Sequence, residues 1–442
     1  MSCQTYGALP LDAEGHMAAW RARTPEIESL RAFQERQGLE VREPGSGFDW
    51  ADGLDWEEGR FVALVFNPAL RMARLRVGLE LAGAEHAGRW ADPEFSMQVL
   101  RITEGVPEPW VVTPELAISI PLFGRLGAER DLAGAEVQAA RAGVIEAEWE
   151  LGRQVQGAWI AWSAARLVEE ESLRFVESLD QLTPWMEKLA ERGEVSRADS
   201  SLFQVEQARR SNELRRLAGE TAAAKQILLA LMGLAPDAPV TLLPDVEARR
   251  GSTSLDPAYP PAGEAHHPVL LRLQHEYQVS EQALRAEVAK QYPDLTLGPL
   301  LEWDEGRFGA GLGGGFPLPF FRGNRRAIAE ARAARQLARA AFEVAHEELV
   351  GRYASAFARF QALADQRADM EASLIPLVDQ QVTSALEILR LGEGTALGLL
   401  ESLTRAHQVK LDWIHTRSAE AAAQAELNFL IGSEQGPAET LE

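Results

Sequence analysis

Apolar and polar positions along this chain change period abruptly, and they do so twice in the same order. Over residues 94–122, Phe95, Met97 and Val99 alternate with Ser96 and Gln98, and Leu116, Ile118 and Ile120 alternate with Ala117 and Ser119. A period of two predicts a pair of strands with one apolar face. Residues 104–109, rich in Pro, Glu and Gly, form the turn between them. The pattern returns more loosely over about 294–318, with Leu295, Leu297, Leu301 and Trp303, then Phe308, Ala310, Leu312 and Phe316 separated by glycines. After each strand pair the composition switches to Ala, Glu, Arg, Gln and Leu, over residues 125–191 and 324–391. These are strong helix formers, and about 67 residues at roughly 1.5 Å each make a rod of order 100 Å. Such a helix persists only when neighbouring helices bury its apolar stripe.

The two halves are a duplication. Asn67-Pro68 and His267-Pro268 stand 200 positions apart, as do Asp92-Pro93 and Tyr292-Pro293. Gly193 and Gly392, and Gly233 and Gly432, are 199 apart. Each copy reads as a helix opened by proline, two strands, a very long helix, a glycine turn and a returning helix. The expected organisation is a leader (1–54), a first repeat (55–234), a linker or belt (235–265), a second repeat (266–432) and a tail (433–442). Pro184 and Pro376 interrupt the rods and predict a bend or junction. Ser196 or Asp199, and Thr395, are candidate caps of the returning helices. The fold class is mainly α: tandem long-helix hairpins with four β-strands per chain.

Four strands cannot close a barrel, and an open sheet leaves unpaired edges. Three chains of four strands each would close twelve, with an apolar exterior suited to lipid and a glycine-rich interior. Strands of about 10 residues reach across a bilayer when tilted. No run of 18 or more apolar residues occurs, so membrane contact, if any, belongs to the strands.

Composition narrows the function further. The 442 residues are 46% hydrophobic and 25% charged, as expected of a chain with a buried core. A net charge of −22 disfavours nucleic acid as a partner. The single cysteine, Cys3, excludes an internal disulfide framework and a thiolate metal cluster. Met1 to Tyr6 carries none of the features of a secretory signal. Cys3 therefore reads either as a surface thiol near a frayed terminus or as the acylated first residue of a lipoprotein whose signal has been removed. His266, His267 and His275 lack acidic or cysteine partners at ligand spacing, so no metal is expected. Gly311, Gly313, Gly314 and Gly315 lack the Lys-Ser/Thr of a phosphate loop and read as a tight pore-lining strand. Trp149, Trp159 and Trp162 read as packing between rods, and Trp90, Trp110 and Trp303, which flank the strands, either as part of an interfacial aromatic belt or as residues of a soluble sheet. No nucleophile, base and orienting group stand together, so neither enzyme activity nor a cofactor is expected.

This ordered set resembles the TolC-like outer-membrane efflux family, the exit ducts of tripartite pumps and type I secretion systems, over about residues 55–432. The markers are Asn67-Pro68-Ala69-Leu70, Ile120-Pro121-Leu122-Phe123 and Phe316-Pro317-Leu318 before the long helices, and the two glycine turns. The resemblance implies a homotrimer in outer-membrane lipid, with a twelve-stranded β-barrel and a periplasmic α-barrel. It also implies two protein partners, a periplasmic adaptor and an inner-membrane pump. Carried over by position, it places adaptor contact at Gly193, Glu194, Asp199, Gly392 and Glu393, and an entrance charge ring at Glu401. The family's second entrance acid aligns with Gly398 and its latching arginine with Gly394, so that latch is not expected here. Because several members are lipoproteins, the resemblance also implies lipidation at Cys3. The competing reading of the pattern is a soluble coiled-coil scaffold whose strands merely cap the rods. A periplasmic adaptor is a third, but adaptors carry one hairpin rather than two in tandem.

Overall fold

The computed structural model describes residues 5–36, 48–103, 105, 109–247, 267–304, 307–318 and 323–432. Helices α1 (Ala13–Arg21), α2 (Ile27–Arg36), α3 (Trp56–Phe66) and α4 (Pro68–His86) lead to strands β1 (Glu94–Arg101) and β2 (Trp110–Ile120). Two long helices follow, α5 (Arg125–Glu191) and α6 (Arg197–Leu231). The second half repeats this order with α7 (Pro268–Ala289), β3 (Leu295–Asp304), β4 (Arg307–Gly315) and α8 (Arg325–Asp369), then a π-turn (Met370–Leu374), α9 (Ile375–Arg390) and α10 (Ala396–Ile431). The chain is mainly helical with one small sheet among the described residues, the class that the alternation and the rods predict.

Two compact units share these elements. One comprises Met72–Glu146 and Ala265–Glu348 and contains the sheet; the other comprises Met1–Arg71, Ala147–Glu264 and Leu349–Glu442. The sheet is an antiparallel meander in the order β1-β2-β3-β4, so the two repeats join through β2 and β3. The local pattern cannot reveal that junction, because pairing between repeats is a long-range contact. At it, a Cβ on Gly298 would lie 1.5 Å from the Leu116 carbonyl oxygen, so only glycine admits the approach.

In the other unit the returning helix α10 runs through the core. Its Ile414 packs with Val168 and Leu217, its Ala421 and Ala425 with Ile160, and its Leu427, Phe429 and Leu430 with Tyr353, Phe357 and Phe360. Small residues at 421, 423 and 425 let α5 and α8 come close, as the alanine-rich composition suggests. Trp159 and Trp162 are buried against each other, ring centroids 6.1 Å apart. The Trp159 indole donates to the Leu243 carbonyl at 2.9 Å.

Two local features differ from the sequence reading. The segment bounded above only as a leader carries packed helices: Leu30 and Phe33 of α2 are buried, the Trp20 indole donates to the Gly233 carbonyl at 3.1 Å, and Arg23 donates to the same oxygen at 3.0 Å. Burial lowers the Arg23 pKa, with Arg71 and Arg36 adding repulsion. In the rods, α5 runs unbroken through Pro184, whereas the second copy meets Pro376 with the π-turn, in which the Ile375 N–H reaches back five residues to the Met370 carbonyl. A proline removes a donor and crowds the preceding turn, and a wide turn relieves that crowding.

Candidate functional site

Two surfaces carry the chemistry of this fold, and each is built from both repeats. The first is the pair of turns that end the long helices. Gly193 follows α5 with φ +77° and Gly392 follows α9 with φ +79°. Both close the same C-terminal motif. The Gly193 N–H bonds the Ala190 carbonyl and the Glu194 N–H the Leu189 carbonyl; the Gly392 N–H bonds Leu389 and the Glu393 N–H bonds Ile388. Ser196 caps α6 by accepting from the Asp199 N–H at 3.0 Å, and Thr395 caps α10 by accepting from the Gly398 N–H at 3.1 Å. Asp199 is therefore not the cap; it lies in the first turn of α6, where a carboxylate complements the helix dipole.

One core holds the two turns at the same end of their unit. Phe175, Leu179, Met186, Leu189 and Phe203 of the first hairpin pack with Leu389, Ala396, Leu399 and Leu400 of the second. Around this core Gly193, Glu194, Gly392 and Glu393 are exposed, Asp199 is half-buried and Glu401 is exposed on α10. Glu194 approaches Arg192 at 4.0 Å. Gly394 is held against α9, where a Cβ would stand 3.0 Å from the Leu389 nitrogen. A bulky side chain at 394 would have to displace that backbone.

Sequence reasoning missed the polar features inside this bundle. His407 is 4% exposed and stacks on Phe175. Burial, with Arg210 and Lys410 nearby and Glu206 opposing them, lowers its pKa to about 4. Arg210 lies 5.3 Å from the Phe175 ring and pairs with Glu206 at 2.6 Å and Glu213 at 3.1 Å. Arg367 pairs with the buried Glu420 and with Glu371, and Glu371 also accepts from the Trp413 indole at 3.0 Å. Helical spacing marks His407 and Glu420 only as members of α10; their burial depends on which helices surround it.

The second surface is the sheet. Its register places Phe95, Met97 and Val99 opposite Leu116, Pro114 and Val112, then Val112 and Ile118 opposite Trp303 and Leu297, and Pro299, Leu301 and Trp303 opposite Leu312, Ala310 and Phe308. Directly opposed residues share a face, so these side chains form one continuous apolar surface. Phe95, Met97, Phe308 and Leu312 on it are exposed. The opposite face carries Ser96, Gln98, Thr113, Glu115, Thr296 and Glu302 among Gly309, Gly311, Gly313 and Gly315. At the turn end of the apolar face stand Trp110, Trp303 and Phe308, the last two with rings 4.9 Å apart. At the helix end stand Phe95 and the pair Phe123 and Tyr292, 4.4 Å apart. The outer sides of β1 and β4 have no strand partner among the described residues.

Among the described residues no group of His, Cys, Asp or Glu is placed to hold a metal ion. Among the same residues no helix is long and apolar enough to cross a membrane. Cys3 lies outside the described residues.

A sheet with an apolar face and a polar, glycine-rich face, joined to tandem long-helix hairpins, is an architecture that this chain shares with solved outer-membrane channels. Residues 62–234 match the family model described as outer membrane efflux protein. Solved structures share the fold across most of the chain. A membrane protein from Pseudomonas aeruginosa is 18% identical with a TM-score of 0.74, covering 89% of this chain and 97% of that one. The outer membrane protein VceC from Vibrio cholerae is 20% identical with a TM-score of 0.71, over 86% and 97%. The MtrE outer membrane channel of Neisseria gonorrhoeae, in its open state, is 15% identical with a TM-score of 0.69, over 85% and 88%. A sequence comparison with curated proteins found no match. The chain therefore has the fold of these channels, and residues 62–234 are similar to the outer membrane efflux protein family.

Proposed function

We propose that this chain is the passive exit duct of a tripartite efflux system, working as a homotrimer with a periplasmic adaptor and an inner-membrane pump. The observation that carries the reading is the two-faced sheet with both outer edges open. In a four-stranded meander β1 and β4 run antiparallel, so β4 of one copy can receive β1 of the next. Three copies then close twelve strands with the apolar face outward and the glycine-rich face around water. From Ile120 to Trp110 the apolar face extends about 33 Å along the strand, which at a tilt of about 40° is an apolar band about 25 Å tall. The long helices form the periplasmic tunnel, and the turns at Gly193 and Gly392, with Glu194, Asp199 and Glu393, meet the adaptor. Glu401 supplies a charged ring at the tunnel entrance, helped by Glu393. Cys3 is the lipid attachment point. Three copies carry three times −22, or −66, which suits a duct that tolerates cations.

Extraction of the membrane-inserted chain in detergent should yield trimers that conduct ions in planar bilayers. A chain recovered without detergent, and with no conductance, would support the coiled-coil scaffold instead; the exposed apolar face of the sheet argues against that reading. Glu401→Gln should lower the cation preference of the conducting trimer, and an unchanged preference would remove the charge ring.

A further inference from the structure

We propose that Arg101 and Trp110 form a binding site for the phosphate of an outer-leaflet lipid headgroup. The assignment rests on the membrane reading of the sheet given above. Arg101 is the last residue of β1 and lies directly opposite Trp110 in the register, so both side chains stand on the apolar face, at the end of the strands joined by turns rather than helices. Every other strand position on that face is uncharged. The Arg101 guanidinium carbon lies 5.6 Å from the centre of the Trp110 ring. The ring face attracts the cation and uses none of its N–H donors in a conventional hydrogen bond.

Neighbouring cations are satisfied differently. At the helix end of the sheet, Arg125 pairs with Asp294 and Glu129, each at 2.9 Å, and Lys290 pairs with Glu287 at 2.7 Å. At the turn end, Arg307 faces Asp304 across the strands on the opposite, polar face. Arg101 has no carboxylate partner among the described residues. A guanidinium at the boundary of a hydrocarbon band needs an anion, and its planar fork matches phosphate. At the turn end of a barrel whose helices enter the periplasm, the anion within reach is the phosphate of an outer-leaflet lipid.

The test uses the full chain as a detergent-solubilised trimer, with heat-induced trimer dissociation as the readout. Diphosphorylated lipid A, the same lipid enzymatically dephosphorylated, and inorganic phosphate are titrated separately. The phosphorylated lipid should raise the dissociation temperature while the other two leave it unchanged. Arg101→Gln should weaken the response about tenfold, whereas Trp110→Leu, which keeps the fork without the ring, and Arg101→Lys, which keeps the charge without the fork, should each weaken it less. Equal responses of wild type and Arg101→Gln would overturn the proposal. So would an equal effect of inorganic phosphate, or an Arg101→Gln trimer that dissociates earlier with its lipid response intact, which would instead mark an ion pair between chains. Should Arg101→Gln fail to assemble, Trp110→Leu and Arg101→Lys decide between the same outcomes. Failure of the wild-type chain to form detergent trimers would remove the membrane reading and this site with it, whereas wild-type trimers indifferent to the lipid would remove the site alone.

Discussion

His407 lies flat against Phe175, with ring centroids 4.3 Å apart and planes 10° apart. The contact joins α10 of the second hairpin to α5 of the first, next to the core that holds the two turns together. A neutral imidazole suits this position. A charged one would lose its hydration and face Arg210 and Lys410, with only Glu206 in its favour.

The pH dependence follows from the sign of that shift. The folded pKa, about 4, lies below the unfolded value near 6.5, so between these limits the unfolded chain binds the extra proton. The stability that His407 contributes is complete above about pH 6.5 and is lost as pH falls toward 4, by a total of order 3 kcal/mol. The melting temperature of wild type should therefore fall relative to that of His407→Leu on acidification. Parallel curves from pH 7 to pH 4 would show that His407 does not titrate in the fold.

Arg367 and Glu420 tie α8 to α10, and the Glu420 side chain is only 3% exposed. Arg367→Ala leaves that carboxylate without its main partner and should cost about 3 kcal/mol, the low end for a broken buried pair because Arg367 is partly solvated. Replacing both residues by leucine should cost less than Arg367→Ala alone. Denaturant unfolding of the single and double variants measures the difference.

Gly298→Ala places a methyl group against the Leu116 carbonyl, where backbone must move. The expected outcome is a weakened β2–β3 junction, costing about 1–3 kcal/mol or more, and a lower yield of heat-resistant trimers on gels. The turn glycines should respond more mildly. Gly193→Ala or Gly392→Ala strains a residue near φ +78° and should cost about 1 kcal/mol each, read as a small fall in melting temperature.

The two faces of the sheet should respond oppositely to charge. Leu312, 89% exposed on the apolar face, should not tolerate arginine in a membrane, with a cost of about 2–4 kcal/mol near the bilayer midplane. Thr113→Arg on the polar face should leave insertion intact and shift ion selectivity. Membrane fractionation and bilayer conductance distinguish the two; equal insertion of both variants would contradict the assignment of faces.

The sequence by itself determined the class of the fold, because strand alternation, alanine-rich helix formers and positive-φ glycines act within a few residues of themselves. Phe95, Met97 and Val99 declare an apolar face whatever lies beyond them, and Gly193 and Gly392 stop a helix wherever it points. The capping box of α3, in which Asp55 and Glu58 bond each other's backbone N–H groups, is local in the same sense, although the sequence reading did not single it out. Tertiary structure alone decided that β2 pairs with β3, that only glycine fits at 298, and that α2 buries Leu30 and Phe33. It alone decided that His407 and Glu420 lie inside rather than on a solvated face. In each case the deciding partner is distant in the chain, and helical or strand period says which side of an element a residue occupies but not what that side meets. Arg101 needed both levels: alternation placed it on a face, and the register set it beside Trp110.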